Sequence, residues 1–131
     1  MAYEFGYDGL RNAGTFKLDT TTANKIKADP KQIIGKVVTL VGNYEVGYGA
    51  DKAVPLGVVE SVEPYVSGST TMVVTVAWGQ TFEDVPCTSG DTFGKYLFCD
   101  GNGGLKKAAG AEVSNCKALG VSGTLATIKI D

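Results

Sequence analysis

Histidine is missing altogether from this 131-residue chain. With it go Ser-His-Asp and Cys-His nucleophilic catalysis, His-ligated zinc and haem, and histidine switching near neutral pH. Cysteine is scarce and odd in number: Cys87, Cys99 and Cys116 stand too far apart for a CxxC redox or zinc motif. Each lies beside strand-like sequence with nothing nearby to lower a thiol pKa, so the three read as small core residues rather than nucleophiles. There is one tryptophan and no excess of basic charge, with 12 Lys+Arg against 14 Asp+Glu for a net charge of −2. Nucleic-acid affinity comes largely from neutralising phosphates, so no direct nucleic-acid role is expected. No apolar run approaches the roughly 20 residues of a membrane helix. Residues 1–8 carry neither a basic stretch nor an apolar run of signal length, and the expectation is a protein made and assembled in a cytoplasm.

What remains is a composition of 44% hydrophobic and 20% charged residues with 18 glycines. That fits one globular domain able to stand without disulfides or metals. Residues 1–32 differ from the rest. They contain the polar run Asp19-Thr20-Thr21-Thr22-Ala23-Asn24 and lack a long apolar segment, and residues 1–36 hold six basic and four acidic side chains. Tyr3, Phe5 and Tyr7 alternate with Glu4 and Gly6, which is strand spacing with one aromatic face. Asp29-Pro30 marks a boundary. This stretch reads as an N-terminal arm or outer strand, and residues 33–131 as the β domain; the alternative is that residues 1–32 cover the domain's own barrel end.

From Ile33 the pattern is β. Residues 33–41 are rich in β-branched side chains and are bounded by Gly42-Asn43. In residues 71–78, Met72, Val74, Val76 and Trp78 share one face of a strand, and in 123–131, Ala126, Ile128 and Ile130 do the same. Shorter strands fit 81–85, 95–99 and 105–108, the last two joined by Asp100-Gly101-Asn102-Gly103-Gly104 as a hairpin loop. At most one short helix fits, around 21–27 or 108–113. The fold expected is all-β: a small single-domain barrel or sandwich with an extended N-terminal arm. Leu56-Gly57-Val58 and Leu119-Gly120-Val121 echo one another, as glycines at two barrel corners would.

Motifs that could carry chemistry fail on spacing. Gly47-Tyr48-Gly49 begins a dinucleotide fingerprint, but Lys52 stands where the third glycine belongs. The 100–104 loop opens like a calcium loop, yet Gly104 and Ala111 occupy two ligand positions. Glu83 and Asp84 are adjacent on a strand and should point apart, and Glu60 and Glu63 flank a strand end at Pro64. The expectation is a protein that is not an enzyme and that carries no cofactor or metal.

The order of parts in residues 33–131 resembles the capsid cement, or head-decoration, proteins of tailed bacteriophages. Pro55-Leu56-Gly57-Val58-Val59 is followed by the 71–78 strand, Ser89-Gly90-Asp91 before Gly94-Lys95-Tyr96-Leu97, the 100–104 loop, and Ala118-Leu119-Gly120 before a closing strand. The resemblance implies a β-barrel-like domain, often trimeric, that binds the outside of an icosahedral shell and has no active site. The partner it implies is the major capsid protein, and the place the virion exterior after assembly in the bacterial cytoplasm. It also gives the arm a role, adding a strand to a neighbour's sheet edge with Tyr3, Phe5, Tyr7, Arg11 and Phe16 as contact residues. The competing reading is a small ligand- or carbohydrate-binding β module of a fibre or attachment protein, with Trp78 and the tyrosines as an aromatic platform.

Overall fold

Runs such as Val37-Val38 and Val58-Val59 place two successive apolar residues where a half-exposed strand would alternate. The architecture explains them. The structure, a computed structural model, describes residues 12–63, 71–88 and 94–131. Five strands close into a barrel in the order β1-β3-β2-β4-β5: β1 (Ala13–Leu18), β2 (Val37–Gly42), β3 (Glu45–Gly47), β4 (Gly57–Glu63) and β5 (Val73–Ala77). Against it lies a sheet of β6 (Gln80–Pro86), β10 (Leu125–Ile130) and β9 (Cys116–Ser122), in that order. A hairpin of β7 (Leu97–Cys99) and β8 (Leu105–Lys107) joins this layer through the pairings Tyr96↔Lys117 and Cys87↔Leu105.

There are two cores with a shared wall. Val38, Val46, Val59, Met72, Val74 and Val76 point into the barrel, while Val37 and Val58 point out of it to meet Val85, Leu97, Leu105, Ile128 and Ile130. Strands buried on both faces need no polar alternation, hence the consecutive valines. Trp78, between β5 and β6, packs on both clusters. The alternation read from the sequence holds where one face is covered: Met72, Val74 and Val76 are buried, as are Ala126, Ile128 and Ile130.

The division at residue 32 does not fall on a structural seam. β1 pairs antiparallel with β5 from Ala13↔Ala77 to Lys17↔Val73, and parallel with β3 at Lys17↔Glu45 and Leu18↔Val46. It is the strand that completes the barrel. The chain then turns into α1 (Thr20–Ile26), whose N-terminus Asp19 caps by accepting the Thr22 N–H at 3.0 Å. A single 3₁₀ turn over Pro30–Ile33 follows. Ile26 and Ile33 are fully buried in the barrel core, so residues 12–33 are part of the domain. Residues 1–11, with Tyr3, Phe5, Tyr7 and Arg11, lie outside the described residues.

The expected strand over 33–41 starts only at Val37, because Pro30 favours the 3₁₀ turn and Gly35, at φ +88°, redirects the chain. A helix over 108–113 does not form. The two Leu-Gly-Val steps are not alike either. A Cβ on Gly57 would sit 2.1 Å from the Ala77 carbonyl oxygen, so β4 and β5 approach as closely as they do only with glycine there. Gly120 has nothing within 4 Å and lies beside a β-bulge. Gly57→Ala should therefore destabilise the domain by more than about 2 kcal/mol, whereas Gly120→Ala should stay within about 0.5 kcal/mol of wild type. Paired urea denaturation curves measure both.

Candidate interaction surface

All three cysteines are free and buried within the second core. Burial pushes the Cys99 thiol from its ordinary 9 up to about 12, with the neighbouring Asp100 carboxylate adding to the rise. Burial likewise takes Cys116 to about 12, helped by the two other thiols and Asp131. In the 100–104 loop one oxygen of the Asp100 carboxylate accepts the N–H groups of Asn102 (2.8 Å) and Gly104 (3.1 Å), which closes the hairpin. Gly103, at φ +90°, lies against the Tyr48 ring, and its carbonyl accepts the Val37 N–H at 2.8 Å. The loop thus pins the second layer to the barrel. Among the described residues no three His, Cys, Asp or Glu side chains gather as a metal site, and no helix is long and apolar enough to cross a membrane.

The paired carboxylates are surface groups. Glu83 and Asp84 are both exposed, contrary to simple strand alternation, because Asp84 adopts φ +56° in a bulge where two residues of β6 face Thr127 of β10. Glu60 is the extra residue of a bulge in β4, between Val59↔Val76 and Ser61↔Thr75, and Glu63 is exposed at that strand's end.

Of the five proposed contact residues, Phe16 alone lies among the described ones, on β1 opposite Val74. It is half-buried, packs on the barrel core and meets Trp78 edge-on, with ring centroids 6.3 Å apart. Its ring braces the barrel wall from the strand face it shares with buried Leu18. Trp78 is held in the same way between two cores, not displayed as a flat platform. A separate apolar surface was not legible in the sequence: Leu40, Val41 and Tyr44 at the β2–β3 turn are 55%, 40% and 48% exposed. β2 pairs with β4 only at Val37 and Val38, and Leu40, Val41 and Tyr44 follow beyond that pairing, toward the turn into β3. Val54 joins this surface, its carbonyl accepting the Thr39 hydroxyl at 2.7 Å.

A scan against protein-family models gives no match, and a search of curated proteins gives none either.

The buried thiols set an alkaline limit. The folded pKa values of Cys99 and Cys116, about 12, lie above the ordinary 9, so above pH 9 the unfolded chain releases protons that the folded chain retains. Folding stability should be unaffected by these groups below pH 9 and should fall steadily from there towards pH 12. Denaturant midpoints across that interval, compared with those of a Cys99→Ala, Cys116→Ala double variant, measure the slope; the variant should show a shallower one.

Proposed function

We propose that this chain is a structural virion protein that binds the outer surface of a tailed-phage capsid and stabilises it, acting as a homotrimer on the major capsid protein. One observation carries the reading: the segment bearing Tyr3, Phe5, Tyr7 and Arg11 runs directly into β1, a strand hydrogen-bonded to a neighbour on each side of a closed barrel. A tether rooted this way passes tension into ladders that must shear together. A segment hung on a surface loop would instead peel away with the loop. The order of glycine-anchored strands that resembles the cement proteins supports the same reading, since among the described residues Gly57–Val59, Val73–Ala77, Leu97 and Ala118–Gly120 lie in strands here.

The mechanism is avidity. Each arm adds a strand to a sheet edge of a shell subunit, where backbone hydrogen bonds give affinity and the alternating aromatic side chains fill pockets. Modest contacts presented together by a symmetric trimer then hold far more tightly than any one of them. Catalysis plays no part.

The test follows from where β1 begins. Removing residues 1–11 leaves every described strand intact, whereas removing residues 1–16 takes most of β1 and opens the barrel. The shorter deletion should fold with near wild-type thermal stability and fail to co-sediment with capsids; the longer should not fold. Capsid retention of the shorter deletion at wild-type levels would remove the arm from the account. Light scattering on the full chain should give a trimer's mass.

A further inference from the structure

Near one end of the barrel wall a row of register partners reads Glu63, Val73, Lys17, Glu45 across β4, β5, β1 and β3. Directly beyond it the chain turns from β1 into α1 and leaves a pocket of about 440 Å³. Its lining comes from three separate stretches: Lys17, Leu18, Thr20, Ala23 and Asn24 from β1 and α1, Glu45 from β3, and Thr71 and Met72 leading into β5. The volume lies within the ~300–1,000 Å³ usual for small-molecule sites, and a barrel mouth is one of their usual places.

The chemistry of the lining is mixed in a particular way. Leu18 and Met72 are buried and, with Ala23, make an apolar floor. Around them stand an ammonium (Lys17), a carboxylate (Glu45), an amide (Asn24) and two hydroxyls (Thr20, Thr71). Lys17 and Glu45 are register partners on adjacent strands, yet no ion pair joins them; the ion pairs among the described residues include Lys106–Asp51 and Lys129–Asp131, both elsewhere. An inorganic anion would face Glu45 and a metal cation would face Lys17, so the pair opposes either one. A sugar ring suits both. Its vicinal hydroxyls each donate and accept, matching a carboxylate, an ammonium and an amide side by side, and its C–H face suits the floor.

We propose that this barrel-mouth pocket binds a neutral saccharide unit, with Glu45 and Asn24 accepting from its hydroxyls, Lys17 donating to them, and Leu18 and Met72 beneath its ring. The site is independent of capsid binding, since it uses no residue of the N-terminal segment.

The test is titration of the ¹⁵N-labelled full chain with maltose, cellobiose and N,N′-diacetylchitobiose, with glycine and inorganic phosphate run in parallel. At least one of the disaccharides should give saturable amide shifts centred on residues 17–24, 45 and 71–72. Glu45→Gln and Lys17→Met should each weaken that binding about tenfold or more, while the thermal midpoint stays within error because neither side chain belongs to a core. Saturation by glycine or phosphate in place of the sugars, shifts centred elsewhere, or no saturable shift with any of the three disaccharides would overturn the proposal.

Discussion

Closure of the barrel by β1 is the constraint on which the rest depends. The strand has five register partners on β5 but only two on β3, and the β3 pairing is parallel. It therefore bridges elements far apart in sequence. Without it β3 and β5 would be sheet edges and the core of Val46, Val74 and Val76 would open to water. The same strand delivers α1 and the following 3₁₀ turn to the barrel end, where Ile26 and Ile33 plug it. Burying two such side chains contributes roughly 1.5–3 kcal/mol each. The turn from β1 into α1 also builds the polar mouth, because Lys17 and Thr20 flank a buried Leu18.

The second dependence is the wall shared by two cores. β2 and β4 send alternate valines to opposite sides, so neither core can be repacked alone. Trp78 sits where the chain crosses from barrel to sheet and contacts both. Gly14 is matched to it: a Cβ there would lie 3.2 Å from both the Trp78 and Phe16 rings. The hairpin of β7 and β8 is fastened across the same seam by main-chain bonds, with the Lys52 N–H donating to the Cys99 carbonyl and the Cys99 N–H to the Ala53 carbonyl, both at 2.8 Å. The three buried thiols fit this arrangement as compact filler.

The all-β class could be read because β5 and β10 each cover one face, leaving the period of two visible in Met72-Val74-Val76 and Ala126-Ile128-Ile130. The role of β1 could not. Its sequence, Ala13-Gly14-Thr15-Phe16-Lys17-Leu18, carries a glycine matched to ring packing and pairs with strands beginning only at Glu45 and Val73, and neither leaves a local signature. Bulges were equally hidden: Asp84 and Leu119 each sit opposite β10 as an extra residue, one at a non-glycine positive φ, and so break the alternation used to judge the carboxylates. As for sites, Phe16 turned out to serve the barrel wall, and the mouth pocket was missed because its polar groups come from three segments that only the fold brings together.

Native-state hydrogen exchange of the β1 amides is the most direct test of barrel closure. The account predicts that amides within Ala13–Leu18 exchange as slowly as those of Val73–Ala77, through global unfolding alone, with protection following the denaturant dependence of the whole domain. Exchange in β1 that is fast, or that occurs through a local opening leaving β5 protected, would contradict it; the N-terminal segment would then hang from a detachable strand rather than from the barrel itself.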